Sequence, residues 1–219
     1  PLRKNPAPSR KPSILARSIN KQETSKQMKQ LIFAIIVGAA ALACGGGIGG
    51  SAKMDIKAGG KDTSLAVKSS GSDRSVKTFT DVGGKVTTAT SFYAIMANYD
   101  LDTTNVGTMK KPLTAPEQVR VLLQLIGEEG TDQKADIKPG IYKADPKEKY
   151  MKLDSLSVST FADGKETNTS FDTMFSGSKI TGQVEVTSVT ADAVSGKIDV
   201  TDGDKSVKGT FTAKIAAKK

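Results

Sequence analysis

From Lys53 to the C-terminus the side chains change character at every second residue. A period of two is the repeat of a strand with one buried face, whereas a helix repeats every 3.6 residues. Ile180, Val184 and Val186 fall on one side while Lys179, Gln183 and Glu185 fall on the other. Ile198 and Val200 oppose Lys197, Asp199 and Thr201, and Val207, Phe211, Ala213 and Ile215 oppose Lys208, Thr210, Thr212 and Lys214. The breaks at 190–196 and 202–205 are too short for a parallel crossover, so the pattern predicts an antiparallel three-strand meander. Asp163-Gly164 is a two-residue hairpin signal, because a type I′ turn needs positive φ at both central positions, and it would join 153–161 to 166–171. Further strands are expected at 54–58, 64–69, 76–80, 85–99 and 141–144. About ten short strands at this spacing predict an all-β fold, an antiparallel β-sandwich or barrel.

One segment carries two patterns. Thr114-Ala-Pro-Glu117 has the form of a capping box, and Val119, Leu122, Leu123 and Ile126 stand at helical spacing. Val119, Val121, Leu123 and Leu125 also alternate, with Arg120 and Gln124 opposite them. We favour the strand, since the neighbouring segments all have period two.

The formal net charge is +9, from 32 Lys+Arg and 23 Asp+Glu. Residues 1–43 hold eight of the basic residues and only Glu23 of the acids, which leaves 24 against 22 for the rest. The excess therefore belongs to the leader, and the body lacks the basic face that would release counterions from nucleic acid. No nucleic-acid partner is expected.

Residues 1–27 are polar, rich in Lys, Arg, Ser and Pro, and read as a disordered leader. Met28, Lys29 and Gln30 then precede an unbroken apolar run from Leu31 to Ala43. At about 1.5 Å per residue that run covers ~20 Å as a helix, short of the ~30 Å of a bilayer core. It has the form of an export signal, and residues 28–43 are read as a signal-peptide helix. Met28 stands where translation would begin a compact signal, so 1–27 is read as an upstream extension outside the working protein.

The run ends in Ala41-Leu42-Ala43-Cys44, and here the sequence resembles the lipobox of bacterial lipoproteins. The resemblance covers about residues 28–50, with Ala41 standing where Leu is commonest and Leu42 where a small residue is. It implies cleavage after Ala43 and lipidation at Cys44 through a diacylglyceryl thioether and an N-acyl chain. Ala41 and Ala43 also satisfy ordinary signal peptidase, so an unlipidated secreted domain places the cut at the same bond. An uncleaved anchor is the third reading. Cys44 is the chain's single Cys, and a lone thiol at the first mature position is suited to acylation. Gly45 to Ser51 is a glycine-rich coil, so 44–52 reads as a tether and 53–219 as the β domain. Gly45 in place of Asp, by analogy with enteric lipoproteins, points to the outer membrane in a cell with two membranes.

The body offers little for catalysis. His and Trp are absent, which removes imidazole bases and ligands and the best stacking group. Asp199, Asp202 and Asp204 surround one turn and are candidate Ca²⁺ ligands, but turn chemistry accounts for them equally well. Asp100 with Asp102, or Glu128 with Glu129, are candidate paired carboxylates of a glycosidase. Tyr93, Tyr99, Tyr142 and Tyr150 read as buried strand tyrosines before they read as a glycan platform. Asn168-Thr-Ser170 matches a glycosylation acceptor, a match that is incidental in a bacterial lipoprotein. The expectation is a lipid-anchored envelope protein with a non-catalytic binding or structural module, no cofactor and no metal, and an envelope protein or glycan as ligand. A surface hydrolase using paired carboxylates is the competing reading.

A chain beginning at Met28 is expected to be exported and processed as efficiently as the full-length chain. The yield of mature protein in the envelope measures this, and loss of export on truncation overturns it.

Overall fold

A computed structural model of the chain describes residues 52–103, 111–175 and 177–215. The described residues are all-β, with eleven strands and no helix. They are β1 (Lys53–Ala58), β2 (Lys61–Ala66), β3 (Ser69–Thr80), β4 (Val86–Ala97), β5 (Val119–Glu129) and β6 (Gly140–Lys143), then β7 (Lys152–Ala162), β8 (Lys165–Ser170), β9 (Ile180–Val189), β10 (Ala193–Asp202) and β11 (Lys205–Lys214). The expected leader, signal and tether, together with Ala41, Ala43 and Cys44, lie outside the described residues.

The strands form one continuous sheet in the order β2-β1-β11-β10-β9-β6-β7-β5-β4-β3, with β8 added to β7. The pairings are antiparallel except for a single parallel step between β6 and β7. Sequence alone predicted a sandwich or barrel. The sheet is neither two stacked layers nor a full cylinder; it curls into a half-barrel.

The cause of the curl is the connection from β2 to β3. These strands stand at opposite ends of the sheet, yet only Val67 and Lys68 separate them. Ten strands laid flat at about 4.8 Å would put the edges roughly 40 Å apart, while the link reaches only about 10 Å. The edges must therefore meet. Val67 N–H donates to Ala52 O and Lys68 N–H to Ala97 O, at 2.9 Å each. Ser72 forms an isolated parallel bridge with Ile215, its Oγ donates to Lys214 O at 2.9 Å, and Lys214 N–H donates to Ser70 Oγ at 3.2 Å.

This seam explains a strand that alternation missed. The expected segments 64–69 and 76–80 resolve into β2, a two-residue link and the twelve-residue β3. In the Ser-Gly-Ser-Asp-Arg-Ser stretch from Ser70 the inward side chains are small hydroxyls because the backbone at the end of β11 crosses there. They give no apolar signal.

Elsewhere the expected faces hold. The core takes Met54 and Ile56 from β1, Phe92 and Met96 from β4, Val121, Leu123 and Leu125 from β5, and Leu156 and Val158 from β7. Val184, Ile198, Val207 and Phe211 complete it from the C-terminal meander. The ambiguous segment is strand β5, and its capping-box residues form a turn in which Gln118 Oε1 accepts Thr114 N–H at 2.6 Å and Ala115 N–H at 3.3 Å. Gly196 sits at a bulge between β9 and β10, where a Cβ would stand 2.7 Å from the Phe211 ring. Close strand approach therefore requires glycine there.

The β7–β8 hairpin turns at Asp163 (φ 52°) and Gly164 (φ 74°), the two positive values that a type I′ turn needs. Gly164→Val is expected to cost about 1 kcal/mol or more, since a β-branched residue is strained at that φ. Thermal denaturation measures it, and an unchanged Tm would show that the turn relaxes without strain.

Candidate functional site

Strands β4, β5 and β7 are buried on both faces, which an ordinary half-wet sheet is not. On β5, Arg120 alternates with Val119 and Val121 and so points away from the core. It pairs in register with Ala97 on β4 and Ser159 on β7. The sequence placed Arg120 on a wet face; it is 7% exposed. A buried guanidinium is tolerable only when its donors and its charge are met. Nη1 donates to Tyr99 Oη at 3.2 Å and Lys111 O at 2.8 Å, and Nη2 donates to Ser159 Oγ at 3.1 Å and to the Glu166 carboxylate. The other Glu166 oxygen accepts Leu113 N–H at 3.1 Å. Arg120 and Glu166 thus staple both ends of the segment after β4 to the outward face, where Tyr99 and Leu113 pack on Ala97 with Leu101 and Phe161 beside them.

Over this staple lies a cleft of about 320 Å³ with Lys68, Asn98, Tyr99, Asp100, Lys111 and Gln118 in its walls. Lys68 Nζ lies 3.0 Å from Asp100 Oδ2. Burial raises the Tyr99 phenol above its ordinary range against the opposing charge of Arg120. Burial pushes Tyr93 up to about 12, again opposed by Arg120. Both phenols are protonated at neutral pH, and Tyr99 Oη donates to Lys111 O at 2.8 Å. The cleft can bind and orient polar groups.

The residues singled out by sequence do not converge. Asp199 pairs with Lys208 Nζ at 3.0 Å, and the buried Asp202 meets Lys205 Nζ at 2.6 Å and accepts Asp172 N–H at 2.9 Å. Burial raises the Asp202 carboxyl, but the Lys205 contact and the Asp172 amide together hold it below its ordinary value. Asp204 is exposed. Among the described residues no group of three acidic, Cys or His side chains could hold a metal ion. Asp102 and Glu129 are exposed, and Glu128 lies 2.5 Å from Lys138 Nζ.

Tyr142 is fully buried and Tyr99 nearly so, while Tyr93 and Tyr150 are half-buried; they line no common face. Asn168 is exposed on β8 and donates to Ser159 Oγ at 3.2 Å. No helix of the described residues is long and apolar enough to cross a membrane. Arg120 is the residue that sequence reasoning undervalued. Its one signal was a charge inside an otherwise apolar Val-x-Val-Leu-Leu stretch. Comparisons with protein-family models, with curated proteins and with solved structures give no match to this chain.

Arg120→Ala is expected to lower stability by about 3 kcal/mol, because it strands Glu166 in a poorly solvated position and removes donors from Tyr99 and Lys111. Arg120→Met combined with Glu166→Gln should recover part of that loss. Denaturant unfolding measures both, and equal stability of the single variant and the wild type would show that the pair holds nothing down.

Proposed function

We propose that this chain is a bacterial lipoprotein, a lipid-anchored protein of the cell envelope whose β body is a non-catalytic binding or structural module. The observation that carries the reading is the position of the only Cys. Cys44 follows the apolar run and Ala41-Leu42-Ala43 directly and precedes a glycine-rich coil. In this reading 1–27 is a disordered leader, 28–43 a signal-peptide helix removed after Ala43, and 44–52 the tether. Two or three acyl chains at Cys44 hold the protein stably, since each buried methylene contributes about 0.8 kcal/mol.

The body falls within one compact unit, Gly50–Lys219. Its sheet is curled into a half-barrel. The body's charges are engaged in pairs such as Lys68 with Asp100, Lys138 with Glu128 and Lys208 with Asp199. That arrangement favours a scaffold that presents polar clefts over one that poises a carboxylate for proton transfer.

Cys44→Ala is expected to leave Ala41-Leu42-Ala43 as an ordinary cleavage site, so the body is cut, released and recovered in the aqueous phase of a detergent partition. The wild type should stay in the detergent phase with an intact mass above that of the bare polypeptide. The melting temperature of the mature domain should not move, because Cys44 lies before the first strand. A wild-type mass without lipid, or a variant that stays with the membrane, overturns the anchor.

A further inference from the structure

A second buried charge cluster lies on the outward face at the other end of β7. Lys152 opens that strand, and Asp154 is the extra residue at its bulge, since Leu125 pairs with Leu153 and Gln124 with Ser155. The Asp154 side chain is 11% exposed, and Lys77 Nζ sits 2.6 and 2.7 Å from its two oxygens. Lys77 comes from β3, with β4 and β5 between. Thr173 Oγ1 donates to Asp154 O at 2.6 Å, and Phe79 and Tyr150 pack edge to face beside Lys77, whose Nζ is 5.8 Å from the Phe79 ring.

Lys152 is the less closely held of the two lysines. Its side chain is 9% exposed, and its Nζ lies 3.9 Å from Asp154 Oδ1, beyond hydrogen-bond distance. Burial lowers its pKa, Asp154 works against that, Lys77 adds to it, and Asp145 is the other carboxylate whose charge reaches it. Asp145 Oδ1 accepts Lys147 N–H at 2.9 Å. Two ammonium groups thus share one carboxylate already bridged by Lys77. A compact, poorly solvated ammonium with three donors is matched by an anionic oxygen.

We propose that Lys77, Asp154 and Lys152 form a binding site for a small oxyanion, a phosphate or carboxylate group, held by the Lys152 ammonium with Lys77 beside it. One such group would balance the second lysine as Asp154 balances the first. The site belongs to the folded body and operates whether or not Cys44 is acylated.

Lysine side-chain NMR on the mature chain tests it, with inorganic phosphate titrated against chloride at equal ionic strength. The Lys152 and Lys77 signals are expected to move saturably with one shared Kd, while the exposed Lys57 drifts linearly with salt. Lys152→Met should weaken phosphate binding at least tenfold. Asp154→Asn leaves two ammonium groups with no carboxylate, so it should bind phosphate several-fold more tightly and show a higher Tm in phosphate than in chloride.

A Lys152 response no different from that of Lys57, or an Asp154→Asn variant with the same Tm in both salts, overturns the proposal. If that variant folds in neither salt, the wild-type titration decides. Vesicles carrying phosphatidic acid separate the sources of the group. Retention lost with Lys152→Met identifies a lipid headgroup, whereas saturation in solution without retention identifies a free anion.

Discussion

Strands β2 and β3 are consecutive in the chain and lie at opposite ends of the sheet, joined by Val67 and Lys68 alone. A link of that length cannot cross a flat sheet, so the other strands must coil until the edges touch. The coil turns one face of the main sheet inward, which is why residues as far apart as Met54, Leu123 and Phe211 share one core. Small residues at the seam are part of the same constraint. Ser70 and Ser72 bond to the backbone of Lys214 where two larger side chains would hold β3 and β11 apart.

Curling has a consequence for the other face. Strands β4, β5 and β7 gain cover on their outward side, and the polar groups there must be satisfied within the protein. Arg120 meets this demand at one end by binding Glu166, Tyr99, Ser159 and the carbonyl of Lys111. Lys77 and Asp154 meet it at the other, reaching over two intervening strands to do so. Between them on that face Ala89 and Ile126 are fully buried. Apolar packing of the inner face supplies most of the stability, and the outward ion pairs determine which loop lies where.

The two clusters differ in a way that bears on function. Around Arg120 the donors and acceptors match, so the cluster is a fastening and the cleft above it is shaped by that fastening. Around Asp154 two lysines share one carboxylate, and only Lys77 is within hydrogen-bond distance of it, which leaves the Lys152 donors for a further anion in the proposed site. A near-neutral body would then select its ligands through local clusters, because its overall field is weak.

Period-two alternation determined the all-β class, the C-terminal meander, the faces of β9, β10 and β11, and the hairpin at Asp163-Gly164, because each depends on neighbours in sequence and on one buried face. The position of Cys44 after its apolar run, likewise local, is what the envelope reading rests on. Tertiary structure decided the rest. The strand order that makes a half-barrel, the existence of β3 between 69 and 76, the burial of Arg120 on a face that reads as wet, and the meeting of Lys77, Asp154 and Lys152 all depend on which distant strands become adjacent. Alternation reports which side of a strand a residue occupies. It carries no information about what is folded over that side, and in this protein a short link between remote edges decides that.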